Sequence, residues 1–94
     1  MIFEFDEAKS AANRTKHGLD FSEAQNLWAD VDAIQLPARS DIENRMVLIA
    51  QWQDRIWAAI FTLRGQSIRI ISVRAARSSE KAIYEQTEND SGKS

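Results

Sequence analysis

Apolar residues recur along this chain first at helical and then at strand spacing, and each run predicts an element. Alternation in IFEF (residues 2–5) predicts a short opening strand. Asp6 is placed to cap a helix over 7–16, with Ala8, Ala11, Ala12 and Thr15 at the 3–4 spacing of one face. Gly18 after His17 ends it, because glycine accepts the left-handed conformation of a helix C-terminus. A second helix fits 22–29, with Ser22 and Gln25 as a capping box and Ala24, Leu27 and Trp28 as its buried stripe. The two helices form a hairpin.

From Asp32 the spacing falls to two. AIQL (33–36) reads as a short strand ended by Pro37, and PARSDIEN (37–44) as a polar loop. RMVLIAQW (45–52), IWAAIFTL (56–63) and SIRIISVR (67–74) read as three strands joined by about three residues each, which predicts an antiparallel meander. The middle run is apolar on both faces, as suits a central strand. RSSEKAIYEQT (77–87) closes with a helix capped by Ser78 or Ser79, and ENDSGKS (88–94) reads as a polar, frayed tail. The expected protein is a single α+β domain over 1–87 with the tail at 88–94. Its antiparallel sheet, the N-terminal strand plus the meander, carries two N-terminal helices and a C-terminal helix on one face. Strict alternation in 67–74 would put Arg69, Ile71 and Val73 on one face and Ile68, Ile70, Ser72 and Arg74 on the other.

Composition narrows the class. A chain of 94 residues buries roughly 60–65% of its unfolded surface, enough for one modest core. The absence of cysteine excludes disulfides and thiolate metal sites and fits a reducing cytosol. The N-terminus has two acids by position 6 and no long apolar run, so it reads as neither signal peptide nor anchor. The longest apolar run, 56–61, is too short to span a bilayer. The expected location is cytoplasmic, with no membrane association.

The net charge of −2 conceals an asymmetry. Residues 1–54 carry −5, residues 55–81 carry +5 and residues 82–94 carry −2. A local basic surface recruits a polyanion even on an acidic chain, unless acids of the first half neutralise it across the fold. Within 64–77 stand Arg64, Arg69, Arg74 and Arg77 without one acid.

With a single histidine, scattered acids and glycines only at 18, 65 and 92, the chain shows no zinc, calcium or phosphate-loop pattern, and no cofactor is expected. Arginine chemistry remains: a guanidinium grips phosphate bidentately and stabilises charge developing on a phosphoryl group. Arg64 and Arg69 fall near one turn, and Arg74 at the opposite end of its strand. His17 reads either as a cation completing a helix C-terminus or as a general acid or base. Tyr84 reads as core; Trp28, Trp52 and Trp57 read as core or interface anchors. Glu43 reads as an exposed loop acid unless recruited to a site.

FEFDEAKSAANRTKHGLDFSEA (3–24), FTLRG (61–65) and RIISVRAARSSEKAIYE (69–85) together resemble the BrnT-type toxins of bacterial toxin–antitoxin pairs. The ordered set KHG, F-x-E-A and RIIS-x-R-x-A carries the likeness from Phe3 to Glu85. Ser78 and Ser79 stand where many relatives have further arginines, and Phe5 and Glu7 where relatives often have Trp and Pro. The resemblance implies a RelE-like fold, metal-independent RNA cleavage that inhibits translation, and a ribbon-helix-helix antitoxin. The implied complex pairs two toxins with two antitoxins and meets DNA only through the antitoxin.

Joined to the arginine reading, this gives an expected mechanism. The 2′-hydroxyl of RNA attacks the adjacent phosphate, held by Arg64 and Arg74 with Arg77 as a third contact. Lys16 or His17 approaches the leaving oxygen, and Glu43 accepts the nucleophile's proton. The competing expectation is a non-catalytic module whose basic strand docks an acidic partner.

Overall fold

A computed structural model describes the backbone of residues 1–38 and 44–93 and the side chains of those residues up to 86. The elements are β1 (Ile2–Glu4), α1 (Glu7–His17), α2 (Phe21–Ala24) continued by a 3-10 turn (Gln25–Ala29), β2 (Ile34–Pro37), β3 (Arg45–Trp52), β4 (Arg55–Arg64), β5 (Ser67–Ala75) and α3 (Ser78–Lys93). α3 thus runs on through residues expected to fray.

The strand order is β1-β5-β4-β3-β2. The meander pairs antiparallel as expected, with β4 at the centre. β1 instead pairs parallel with β5, matching Ile2 to Ser67 and Glu4 to Arg69, so the sheet is mixed rather than purely antiparallel. The helices divide between its faces. Leu19, Phe21, Ala24 and Leu27 pack with Leu48, Ala50, Ala59, Phe61, Ile70 and Val73 on one face. Tyr84 of α3 packs with Val47, Ile49 and Ala58 on the other.

The helical hairpin is locked largely by polar contacts. Asp6 caps α1 by accepting the Lys9 N–H at 3.1 Å, and Gly18 ends it at φ +88°. Ala8, Ala11, Ala12 and Thr15 are exposed; the buried positions of α1 are Ser10 and Asn13. Ser10 Oγ accepts the Phe21 N–H at 2.8 Å, so this face docks through hydrogen bonds rather than an apolar stripe. The second helix begins at Phe21, one residue earlier than expected, and its capping box is Asp20 with Glu23 rather than Ser22 with Gln25.

One irregularity in β5 decides which side chains face where. Ile60 is opposite Ser72 and Phe61 is opposite Ile70, so Ile71 is an extra residue without a partner. This bulge shifts the alternation by one. Ile68, Ile70 and Val73 consequently share the helix-hairpin face and enter the core. Arg69, Ser72 and Arg74 share the face that α3 partly covers. The mixed faces expected from strict alternation are sorted into an apolar one and one that carries the arginines.

Candidate functional site

The register builds the second face row by row. Leu36, Val47, Ile60 and Ser72 align across four strands. On one side of that row lie Ile34, Ile49, Ala58 and Arg74; on the other lie Arg45, Thr62, Arg69 and Glu4. Arg64, two residues beyond Thr62, projects from the same face. One sheet surface therefore carries Arg45, Arg64, Arg69 and Arg74. Glu4 comes to it because β1 joins the sheet beside β5.

A cavity of ≈ 440 Å³ opens over the middle row, lined by Leu36, Val47, Ile60, Ser72, Arg74, Arg77 and Glu80 among others. Arg74 is held by Glu80: Nη1 donates to Oε1 at 2.7 Å and Nη2 to Oε2 at 3.0 Å. Nη1 also donates to the Ala75 carbonyl at 3.4 Å. Both partners of this pair are largely shielded, with side chains 23% and 15% exposed, so water screens it far less than a surface pair. The Glu80 hydrogen bonds push the Arg74 pKa up against the opposing effect of burial. The same bonds from Arg74 hold the Glu80 carboxyl below its ordinary value, with the Arg77 N–H adding to the effect.

Glu80 also starts α3. Its Oε1 accepts the Arg77 N–H at 2.8 Å, so the carboxylate three residues into the turn supplies the cap expected from Ser78 or Ser79. The guanidinium of Arg77 is exposed and makes no hydrogen bond or ion pair among the described residues.

Of the residues singled out in the sequence, Arg74 and Arg77 meet at this cavity. Arg64 does not join them. Six residue steps along β4 separate Arg64 from Ala58, the partner of Arg74, which places the two on the order of 20 Å apart. Arg64 and Arg69 approach Glu4 instead, at 3.9 and 3.4 Å. Lys16 and His17 occupy the last turn of α1, where positive charge suits the helix dipole, and their side chains make no hydrogen bond or ion pair among the described residues. Glu43 lies outside the described residues.

Sequence reasoning passed over Glu80, Glu4, Arg45 and Ser72. The spacing Arg77-x-x-Glu80 was the available signal for the first, since a Glu at that offset commonly closes a helix start. Among the described residues no three His, Asp or Glu side chains gather as a metal site requires. None of the described helices is long and apolar enough to cross a membrane.

The family model described as ribonuclease toxin, BrnT, of type II toxin–antitoxin system matches residues 5–80. The chain belongs to the BrnT family. No curated protein matches it. The BrnT match runs from the end of β1 to Glu80, so it takes in the helical hairpin, the meander and the Arg74–Glu80 pair. BrnT membership makes this a ribonuclease toxin of a type II pair, with RNA as its substrate and an antitoxin as its partner.

Proposed function

We propose that the protein is a metal-independent endoribonuclease that inhibits translation in the cytoplasm by cleaving RNA across the arginine-bearing sheet face. The observation that carries this reading is the juxtaposition of Arg74 and Arg77 at a concave, apolar-floored cavity. A guanidinium pair there neutralises a phosphodiester and the further charge that develops on it during in-line displacement. The apolar row beneath offers a base a surface away from water.

In the reaction the 2′-oxygen forms a bond to phosphorus and the bond to the 5′-oxygen breaks, leaving a cyclic 2′,3′-phosphate. Glu43 takes the 2′-hydroxyl proton, and Lys16 or His17 supplies one to the departing 5′-oxygen. Arg74 and Arg77 hold the reacting phosphate. Arg64, at the far end of the face, contacts a phosphate further along the same strand. A ribbon-helix-helix antitoxin neutralises the toxin in a complex of two copies of each, and its acidic segment covers the same arginines. DNA is met through that antitoxin.

The test is cleavage of a labelled RNA in excess EDTA, beside the same oligonucleotide carrying 2′-deoxyribose throughout. RNA cleavage ending in a cyclic phosphate, with the deoxy strand intact, supports the reading. Equal cutting of both strands, or activity abolished by EDTA, overturns it.

A further inference from the structure

Arginine presents five N–H donors in a rigid plane. In Arg74 three of them are used: Nη1 donates to Glu80 and to the Ala75 carbonyl, and Nη2 donates once to Glu80. Nε–H and the second Nη2–H have no partner among the described residues. These two lie side by side on one edge of the plane and form a fork of the width a phosphate accepts. The carboxylate that occupies the end of the guanidinium thereby fixes which edge stays available. Glu80 is itself fixed, because the first turn of α3 holds its Oε1 on the Arg77 N–H.

We propose that Glu80 is a positioning residue of the ribonuclease reaction, orienting Arg74 so that its side edge receives a single phosphate at the cavity. The inference rests on the ribonuclease reading of that cavity and adds the residue that pre-organises it. A lysine at position 74 could not serve in this way, since an ammonium has no second edge to present. Without Glu80 the Arg74 side chain swivels, and each encounter with RNA must first select the productive rotamer. An acid beside a substrate-binding arginine could equally act as a competitor for it, and then its removal would speed cleavage. The direction of the effect separates the two roles.

The experiment is single-turnover cleavage of a labelled RNA by the full chain and its Glu80→Gln, Arg74→Ala and double variants. Binding is measured in parallel on the 2′-deoxy strand. Glutamine keeps an oxygen for the Arg77 N–H and for Arg74 Nη1 but turns an amide donor toward Nη2, so the two-point hold on Arg74 is lost while the helix start survives. The expected result for Glu80→Gln is a rate about 10–100-fold lower with little change in affinity. In the double variant the substitution costs nothing beyond Arg74→Ala, the non-additivity of residues acting as one unit. A merely structural role for Glu80 would add its loss in either background. Glu80→Asp, which keeps the carboxylate, should recover part of the rate. The proposal is overturned if Glu80→Gln cleaves as fast as the parent or faster while Arg74→Ala is crippled; that result leaves the ribonuclease reading standing. Parental cleavage by Arg74→Ala would remove both.

Discussion

Asn13 of α1 bonds the last strand directly: its Oδ1 accepts the backbone N–H of Val73 at 3.2 Å, while its Nδ2 donates to the Leu19 carbonyl at 2.7 Å. β1 has ended by this point of the sheet edge, so a side-chain amide takes over the partner that a strand would have supplied. Asn13→Ala leaves a buried N–H and a buried carbonyl without partners. The expected loss is about 2–4 kcal/mol of stability, one unsatisfied group at each end. Urea unfolding checks it, and Asn13→Asp, which keeps the acceptor but not the donor, should remain well below the parent.

Gly18 sits at φ +88°, and nothing lies within 4 Å of the point a methyl group would occupy there. The cost of Gly18→Ala is therefore backbone strain alone, about 1 kcal/mol. Thermal melting should drop by a few degrees with cleavage of RNA unaffected. A larger loss would mean that the turn has a role beyond ending α1.

Asp30 ties three elements together. It accepts the Gln51 N–H at 2.8 Å, the Asp32 N–H at 2.9 Å and the Tyr84 hydroxyl at 2.7 Å. Burial pushes its carboxyl up, but these three bonds together hold it below the ordinary value. Glu80 is lowered too, first by its bonds from Arg74. Groups with depressed folded pKa values favour the native state above their unfolded values and lose that contribution as pH falls through the folded ones. Stability should be level near neutrality and decline below about pH 4. Asp30→Asn should flatten part of that acid limb in urea titrations run at successive pH values. Tyr84→Phe should cost about 1.5–3 kcal/mol, since the lost bond is to a charged acceptor.

Arg74 and Arg64 are expected to differ in kind. Arg74→Ala should lower the cleavage rate by about 10²–10³ through lost transition-state stabilisation. Arg64 is more exposed and stands at the far end of the face, so Arg64→Ala should chiefly weaken RNA binding. Single-turnover rates against RNA concentration separate the two. Equal effects on both parameters would mean that Arg64 acts in the chemical step and not in binding alone.

Glu4 draws on two arginines of the proposed RNA-binding face. Glu4→Gln should tighten binding of the non-cleavable deoxy strand and steepen its salt dependence. Each added phosphate contact raises the slope of log K against log salt by about 0.7. Anisotropy titrations over a salt series measure it, and an unchanged slope would show that neither arginine touches the strand.

Much of the architecture was legible because local chemistry and global fold agree at those points. Asp6 and Gly18 end α1 through their own side chain and backbone freedom. β3 spans the very run that alternation and turn residues delimit, and β4, apolar on both faces, is central. The remainder depends on partners distant in the chain. Ile70 and Ile71 are chemically alike, so nothing local marks which is the extra residue; pairing with β4 decides it. β1 is too short to announce a parallel partner 65 residues away. α1 buries Ser10 and Asn13, which no apolar periodicity can reveal.

At the site, the separation of Arg64 from Arg74 was readable from the hairpin itself. Glu80 was not recognised, because its meaning comes from the bend between β5 and α3 that turns its carboxylate back onto Arg74.

The unpaired Ile71 has a genetic corollary. Because it has no counterpart in β4, loss of that one codon would leave a regularly pleated β5, with Val73 still inward and Arg74 still outward. The same loss at Ile49, inside the unbroken ladder of β3, would turn every side chain on one side of the gap onto the wrong face. Frame-preserving deletions of three nucleotides that survive selection against an unneutralised copy should therefore collect in β3 and β4. Codon 71 should be missing from them, since a toxin without it keeps its faces sorted.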